Sequence, residues 1–248
     1  MSRRSIVITG ASDGIGKALA FEMAERGYDL GLTARRLELL EAIAEDIAAR
    51  YPETQIAVEA LDVTAYETVQ PVFDKLAGAL GKIDIVLANA GIARGGRVGT
   101  MPLADNLMTI DTNVSGAIAT VSAALKIFRQ QGHGHLVATS SLAAYRGMPR
   151  NAAYCASKAA LSTFMEAVRA ETYKEKIAVT VLHPGYIDTE INRHLKSRPF
   201  LITVEKGSKI FADLIEKKVA RATVPVHLAG VLRPLLKLLP TRLIARMG

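Results

Sequence analysis

The stretch Ser5-Ile6-Val7-Ile8-Thr9-Gly10-Ala11-Ser12-Asp13-Gly14-Ile15-Gly16 decides the fold of this 248-residue chain. An apolar run leads into a glycine-rich turn, and the residues from Gly16 onward show helical periodicity. The glycines permit a tight turn, let backbone approach a diphosphate and bring the next helix close to the strand. Three residues separate the first two glycines, whereas the commonest dinucleotide fingerprint has one, so a turn without a ligand is the alternative interpretation.

Beyond this turn, short apolar runs alternate along the chain with longer segments of helical period. Strands are predicted at residues 6–9, 28–34, 56–61, 83–88, 135–140 and 179–183. Helices are predicted at residues 16–26, 37–50, 65–80, 105–131 and 153–174. Such alternation predicts an α/β fold, a doubly wound parallel sheet with helices on both faces, in a single domain over residues 1–248.

Composition excludes several classes of protein. The single cysteine, Cys155, rules out an internal disulfide framework and a cysteine-rich metal site, and no metal site is predicted. The net charge of +7 comes from scattered basic residues, which disfavours nucleic acid as a partner. No secretory signal and no run of roughly 18 apolar residues is present, so a reducing, cytoplasmic setting is predicted.

Tyr154 and Lys158 form the most informative pair of side chains in the sequence. They stand four residues apart in a predicted helix, so the phenol and the ammonium project from one face. A nearby cation favours the phenolate and brings the tyrosine pKa toward the range of neutral-pH proton transfer. The pair therefore predicts a general acid and base close to the nucleotide.

The chain resembles the short-chain dehydrogenase/reductase family in its compact branch of about 250 residues. The resemblance rests on residues 9–16, Asn89-Ala90-Gly91, Asn113, Ser141 with Tyr154 and Lys158, and His183-Pro184-Gly185. It implies a seven-stranded parallel sheet whose last strand lies at residues 222–226. It also implies NAD(P)-linked oxidation of alcohols or reduction of carbonyls.

The resemblance implies a role for each of the four catalytic residues. Tyr154 gives its phenolic proton to the carbonyl oxygen in reduction and acts as the base in oxidation. Lys158 holds the nicotinamide ribose and lowers the tyrosine pKa, while Ser141 donates a hydrogen bond to the substrate oxygen. Asn113 holds a water that links Lys158 to solvent, and a local kink is expected in its helix. Ser140 should face the other way and serve the structure.

The predicted cofactor contacts follow the ends of the strands. Asp62 is equally well explained as a helix cap, and Ile187 and Thr189 are expected to hydrogen-bond the nicotinamide carboxamide. The full predicted set is Gly10, Ser12, Asp13, Gly14, Ile15, Arg35, Arg36, Asp62, Val63, Asn89, Ala90, Gly91, Tyr154, Lys158, Pro184, Gly185, Ile187 and Thr189.

The end of the second strand predicts the preferred cofactor. An NAD enzyme places there a carboxylate that would repel a 2′-phosphate, whereas this chain has Ala34 followed by Arg35. A guanidinium binds phosphate through paired hydrogen bonds, and Ser12 can add another. NADP(H) is therefore predicted, although Asp13 stands where many NADP-preferring relatives carry a basic residue.

The predicted substrate contacts are mostly apolar. They are Ile92, Ala93, Leu142, Met148 and Tyr186, with a lid at about residues 190–220. A hydrophobic ketone, aldehyde or secondary alcohol is expected. The alternative function is an NADP-binding module without catalysis, redox-sensing or docked on a membrane, but such a module needs no proton donor at the nicotinamide.

The basic amphipathic segment at about residues 226–248 departs from the simplest relatives. It mixes leucines with cations and is interrupted by Pro234 and Pro240. Packing against a subunit or over the substrate is one interpretation, and peripheral contact with the inner face of a membrane is the other. A homodimer or homotetramer, formed through the helices that begin at Asp105 and Ala153, is implied by the family resemblance.

Overall fold

The computed structural model describes residues 3–193, 195, 197–225 and 236–245. Its centre is a parallel sheet of seven strands in the order β3-β2-β1-β4-β5-β6-β7. The strands are β1 (Ser5–Thr9), β2 (Asp29–Ala34), β3 (Ile56–Ala60), β4 (Ile85–Ala88), β5 (Gly134–Thr139), β6 (Ile177–Pro184) and β7 (Arg221–Val224). The predicted fold class and strand number are confirmed; of the predicted last strand, only Val226 lies outside the described residues.

Helices cover both faces of the sheet. They are α1 (Gly14–Glu25), α2 (Leu37–Arg50), α3 (Tyr66–Leu80), α4 (Leu103–Ile110), α5 (Gly116–Gln131), α6 (Ala152–Glu171), α7 (Glu190–Arg193), α8 (Val204–Glu216) and α9 (Thr241–Ile244). The single helix predicted at residues 105–131 is wrong in one respect. A π-helical turn, Asp111–Ser115, divides it into α4 and α5 at the place where Asn113 was expected to disturb it.

Two apolar clusters hold the helices against the sheet. On one face Phe73, Phe128 and Met165 pack from α3, α5 and α6, and on the other Leu19 and Phe211 pack from α1 and α8. All five side chains are fully buried, which stabilises the fold by about 1.5–3 kcal/mol for each such large apolar group. Strands buried on both faces explain why β1 is a continuous apolar run.

The chain reverses its winding direction at β1, because β2 and β4 lie on opposite sides of it. In doubly wound sheets, ligands bind outside the carboxyl ends of the strands at such a point. Here that edge carries the glycine turn after β1 and the segments after β4, β5 and β6. Within the described ranges, every helix falls short of the length or hydrophobicity that crossing a bilayer requires.

Candidate active site

The glycine turn packs directly against the segment that follows β4. Gly10 has φ +69°, and a Cβ there would lie 2.8 Å from the Ala90 Cα. A Cβ on Gly16 would lie 2.4 Å from the Gly10 carbonyl oxygen, so α1 can begin this close only with glycine. Asp13 caps α1 by accepting a hydrogen bond from the Gly14 amide at 2.6 Å. Ile15, the residue after Gly14, packs against the apolar cluster beneath α1.

Asn89 joins three strands at the same edge. Its side-chain nitrogen donates to the Thr9 carbonyl at 3.1 Å, and its side-chain oxygen accepts from the Thr139 hydroxyl at 3.1 Å. The amides of Asn89 and Ala90 both donate to the Thr9 hydroxyl. Asn89 thus fixes the ends of β1, β4 and β5 against one another.

Two arginines stand at the end of β2, as predicted. Arg36 donates from Nη2 to the Ser12 hydroxyl at 3.3 Å, so the glycine turn and the end of β2 form one polar rim. Arg35 lies close to Asp62, and both arginines are exposed to solvent. Ala34, buried at the end of β2, leaves this rim without the carboxylate that an NAD site would place there.

The Asp62 side chain is occupied locally. It accepts hydrogen bonds from the Thr64 amide at 3.0 Å and the Thr64 hydroxyl at 2.7 Å. The capping interpretation is wrong, because the residue before α3 is Ala65 and no side chain caps that helix. Burial disfavours its charge, but these two hydrogen bonds and the Arg35 charge hold the pKa of Asp62 below its usual value. Val63 is buried against α5, where a Cβ on Gly116 would lie 2.5 Å from it.

Asn113 sits in the π-helical turn and is fully buried. Its side-chain oxygen accepts from the Ile92 amide at 2.8 Å, and its nitrogen donates to the Ile92 carbonyl at 2.9 Å. The same nitrogen donates to the Ser157 hydroxyl at 3.0 Å. The amide therefore clamps the segment after β4 onto α6, and this clamp places Ile92 and Ala93 beside the edge of the sheet.

Lys158 is buried, with 4% of its surface exposed. Its Nζ donates to the Thr139 carbonyl at 2.9 Å and lies 3.3 Å from the position of a Cβ on Gly91. Burial disfavours the charged ammonium and lowers the pKa of Lys158 to about 8. A lysine with such a pKa exchanges protons readily near neutral pH.

Tyr154 lies one helical turn before Lys158, with the Nζ 5.9 Å from its ring centroid. Burial raises the pKa of Tyr154, and a hydrogen bond with Ser141 acts in the opposite direction. Ser141 therefore favours the phenolate, and the positive charge of Lys158 lies on the same side of the helix. The close approach of Ser141 and Tyr154 confirms that the sequence brings these two hydroxyls together at the edge of the sheet.

Ser141 begins the 3-10 turn Leu142–Tyr145 after β5. Its hydroxyl accepts from the Ala143 amide at 3.1 Å, which holds the side chain in place. Ser140 points the other way, as predicted, and is buried in a hydrogen-bonded group with the Lys158 carbonyl and the Ser162 hydroxyl. His183 joins this group, its Nε2 lying 3.2 Å from the Ser162 Oγ.

The segment after β6 closes the edge. Pro184 ends the strand, and a Cβ on Gly185 would lie 3.1 Å from the Leu142 side chain, so this segment passes close to the 3-10 turn. Ile187 is buried in the core, which leaves only its backbone for a ligand. Thr189 donates to the Ile187 carbonyl at 3.2 Å, and its methyl group lies 3.3 Å from a Cβ on Gly14.

A salt bridge fixes the segment that follows. Arg198 Nη1 lies 2.6 Å from the Asp188 carboxylate, and Ile187 forms an isolated parallel bridge with Ile202. The carbonyl of Tyr186 accepts a hydrogen bond from the Ile202 amide at 3.1 Å. The predicted lid therefore starts from a fixed base beside Tyr186, and its closure over a substrate stays a prediction.

The C-terminal part of the described chain lies against the loop after Ser141. Arg146 donates from Nη2 to the Leu239 carbonyl at 3.0 Å. A cavity of about 650 Å³ lies between this loop, one face of α6 and α9. Its lining includes Met148, Cys155 and Ile244, and Ile244 is buried. Residues 226–235 and 246–248 of the predicted amphipathic segment lie outside the described residues.

Several positioning groups escape sequence reasoning. The Thr139 carbonyl that receives Lys158, the Ser157 hydroxyl beside Asn113 and the Arg146 contact to Leu239 carry no motif.

A glycine turn, a buried lysine and a paired serine and tyrosine at the carboxyl edge define a nucleotide-binding α/β oxidoreductase. A family model described as short chain dehydrogenase matches residues 4–199, and the chain belongs to the short-chain dehydrogenase/reductase family. It is an NAD(P)-dependent oxidoreductase.

Three known proteins illustrate the relationship. An uncharacterized oxidoreductase of Mycobacterium tuberculosis is 41% identical over 249 residues, covering 100% of this chain and 98% of the relative. An NADP-dependent 3-hydroxy acid dehydrogenase of Schizosaccharomyces pombe is 35% identical, covering 76% of this chain and 73% of the relative. The alcohol dehydrogenase of Thermococcus sibiricus, solved with 5-hydroxy-NADP, has a TM-score of 0.82 at 27% identity, covering 89% and 95% of the two chains.

Proposed function

We propose that the protein transfers hydride between NADP(H) and a hydrophobic carbonyl or secondary alcohol. The observation that carries the proposal is that Ser141 and Tyr154 lie close together at the carboxyl edge, one helical turn from the buried Lys158. A binding module has no use for such a proton donor. The alternative of a non-catalytic NADP-binding or redox-sensing module is therefore disfavoured.

The residues fit a nicotinamide dinucleotide, because the glycine turn leads into the start of α1 at the carboxyl edge, where the segments after β4, β5 and β6 also lie. When bound, the cofactor supplies or accepts the hydride. Tyr154 donates its phenolic proton to the carbonyl oxygen in reduction and removes it from the alcohol in oxidation. Ser141 donates a hydrogen bond to the same oxygen as charge develops there. Lys158, whose pKa burial lowers to about 8, holds the nicotinamide ribose and favours the phenolate of Tyr154.

The preference for NADP(H) rests on the rim formed by Arg35, Arg36 and Ser12. The Arg36 contact to Ser12 holds one guanidinium over the glycine turn, and Arg35 stands beside Asp62 without a β2 carboxylate to repel a phosphate. The names of the relatives from Schizosaccharomyces pombe and Thermococcus sibiricus include NADP and support this preference.

The substrate class rests on the apolar groups around Tyr154. Leu142 lies against the segment after β6, and Met148 lines the cavity beneath the C-terminal residues. Ile92, Ala93 and Tyr186 complete the predicted set at the same edge. Apolar lining of this kind favours a hydrophobic ketone, aldehyde or secondary alcohol.

We also propose that copies of the chain associate through α4 and α5. Leu103 and Leu107 on α4 are 69% and 57% exposed, and Ile118 on α5 is exposed as well. Apolar side chains exposed on adjacent helices mark an interaction surface. Light scattering coupled to size exclusion tests this, since a monomer at micromolar concentration contradicts it.

For the C-terminal segment we propose peripheral contact with a membrane. Leu238 is 81% exposed and Leu243 is also exposed, beside Lys237 and Arg242. Flotation with anionic liposomes, comparing the full chain with a chain truncated after Pro225, tests it. Equal recovery of both chains in the aqueous fraction removes the proposal.

Reduced-nicotinamide absorbance with a panel of apolar ketones and aldehydes tests the main proposal. We expect turnover with NADPH, less with NADH, and none with the Tyr154→Phe variant. Tight NADPH binding without turnover of any carbonyl or alcohol would instead favour the binding module.

A further inference from the structure

A second cavity, lined by polar groups, lies at the opposite edge of the sheet from Tyr154. It has a volume of about 100 Å³ and sits where β1, β4, β5 and β6 begin. One water molecule occupies about 30 Å³ in the liquid, so the cavity has room for a small polyatomic ion. Its polar lining groups are Arg4, Asp84, His133, His135, Lys176 and Lys218.

His135 is the buried group in this lining, with 2% of its surface exposed. Its Nε2 lies 2.9 Å from the Thr180 hydroxyl oxygen, and that hydroxyl donates its one proton to the Val219 carbonyl at 2.6 Å. The Nε2 must therefore carry a proton and donate to Thr180. In a neutral ring with a protonated Nε2, the Nδ1 is an acceptor.

The Nδ1 of His135 is buried and has no hydrogen-bond partner among the described residues. Burial lowers the pKa of His135 to about 4, and the charges of Lys218 and Arg4 act in the same direction. The ring is therefore neutral at neutral pH. An unpaired buried acceptor costs about 1–3 kcal/mol, so this position favours an occupant with a proton to donate.

The charges around the cavity favour an anion. Lys176 and Lys218 have no acidic partner within ion-pair distance in the described part of the chain. Arg4 faces Glu216 at 3.6 Å, while Glu216 makes a closer pair with Arg26 at 2.7 Å. The Asp84 carboxylate is already engaged by the Ser5 amide, Lys82 and His133.

We propose that this cavity binds a tetrahedral oxyanion that carries an acidic proton, with inorganic hydrogen phosphate as the free ion of that kind. Its oxygens pair with the exposed Lys176, Lys218 and Arg4, and a small shift of the lining side chains lets its P–OH donate to the buried Nδ1 of His135. The site shares no residue with the Tyr154 site and does not depend on the proposed reaction.

Thermal unfolding at pH 8 and constant ionic strength tests the chemistry of the ion. Hydrogen phosphate keeps its proton at that pH, whereas sulfate and methyl phosphate have a similar shape and charge but no acidic proton. We expect phosphate at ten times its Kd to raise Tm by about 3–5 °C, and the other two ions by less than about 1 °C. Equal shifts with phosphate and sulfate would indicate a general salt effect and overturn the proposal. An equal shift with methyl phosphate would remove the role of the acidic proton.

Calorimetric titration of variants tests the location. We expect Lys176→Gln and Lys218→Asn to raise the phosphate Kd at least fivefold; asparagine suits position 218, where φ is +50°. Lys174→Gln and Lys217→Gln, exposed neighbours outside the lining, should stay within twofold of wild type.

The titrations use a chain that carries Arg35→Ala, because phosphate can also bind the rim that is proposed for the cofactor. Phosphate binding that survives Arg35→Ala but is lost with Lys218→Asn supports the new site. Binding lost with Arg35→Ala alone overturns it and leaves the cofactor proposal standing.

Discussion

The cofactor side and the substrate side of the active site are built in different ways. On the cofactor side, Gly10, Asn89 and Thr9 contact one another at the ends of adjacent strands, and every one of them belongs to a short motif. On the substrate side, Arg146 reaches Leu239, which is 93 residues away. Local motifs thus fix the half that we propose binds the cofactor, whereas long-range packing shapes the half that we propose binds the substrate.

Tyr154→Phe should have the largest effect, because it removes the group on which both halves converge. Loss of a general acid lowers kcat by about 10²–10⁴-fold, and here we expect at least about 10³-fold with cofactor binding unchanged. Turnover measured with NADPH, together with an NADPH fluorescence titration, checks this. Tyr173→Phe, at an 85% exposed position, is the matched control and should act like wild type. Residual turnover above a tenth of the wild-type rate would show that another group donates the proton.

Lys158→Met should separate activity from stability. At pH 7 the ammonium of Lys158 is charged in the folded and in the unfolded chain, and its burial destabilises the folded chain. We therefore expect the variant to be inactive, yet more stable than wild type by up to about 3 kcal/mol. Between pH 8 and 10.5 the unfolded chain binds the proton more readily than the folded chain, so wild type gains stability as pH rises. The advantage of the variant should therefore shrink across this range.

Urea unfolding of both chains at pH 7, 9 and 10.5 measures that trend. Lys174→Met, at an exposed position, controls for a general effect of removing a lysine. A pH-independent difference between wild type and Lys158→Met would mean that burial does not lower the lysine pKa.

Ser141→Ala and Ser140→Ala form the sharpest pair of neighbouring variants. Ser141→Ala removes the donor to the substrate oxygen, and we expect kcat to fall about 10²-fold with little change in stability. Ser140→Ala leaves that donor but breaks the buried group with Ser162 and the Lys158 carbonyl, which should cost about 1–2 kcal/mol of stability. Kinetics and urea unfolding of both variants check this; similar kcat values would contradict the opposite orientations.

Arg35→Ala should weaken the cofactor side alone. We expect the KM for NADPH to rise about 10–30-fold and the KM for NADH to change less than about twofold, because only NADPH carries the 2′-phosphate. Arg50→Ala, at the far end of α2, is the control. Equal weakening of both cofactors would contradict the proposed preference.

Sequence reasoning predicted which segments meet at the carboxyl edge, for a physical reason. The glycine turn, Asn89 and the positions of Ser141, Tyr154 and Lys158 depend on local backbone geometry and on the alternation of strands and helices. The disturbance at Asn113 was also predicted, because asparagine is a poor residue in a helix interior. The two hydrogen bonds between Asn113 and Ile92 were not predicted, since these residues are 21 positions apart in the sequence.

The substrate side resisted prediction because its contacts are set by packing between distant segments. Two details around the catalytic residues also leave no trace in residue type. They are the π-helical form of residues 111–115 and the Thr139 carbonyl that accepts a hydrogen bond from Lys158. The amphipathic pattern of the C-terminal segment is compatible with packing and with a membrane surface alike. The structure adds the contact to Arg146, which the pattern does not contain.

Arg146→Ala should have the smallest effect and decides what the C-terminal segment does in catalysis. The hydrogen bond to Leu239 is partly exposed and contributes about 1 kcal/mol. If the segment covers the substrate, kcat/KM for a large apolar carbonyl should fall about 3–5-fold, while a small carbonyl and NADPH are unaffected. Arg94→Ala breaks a pair with Asp105, and Arg94 has no hydrogen bond or ion pair with residues 236–245, so this variant should leave the difference unchanged. Steady-state kinetics with both carbonyls measures it. An equal loss with the small carbonyl would mean that the variant acts by displacing Ser141 through the loop that follows it. No loss with either carbonyl would mean that the C-terminal segment contacts a subunit or a membrane instead of the substrate.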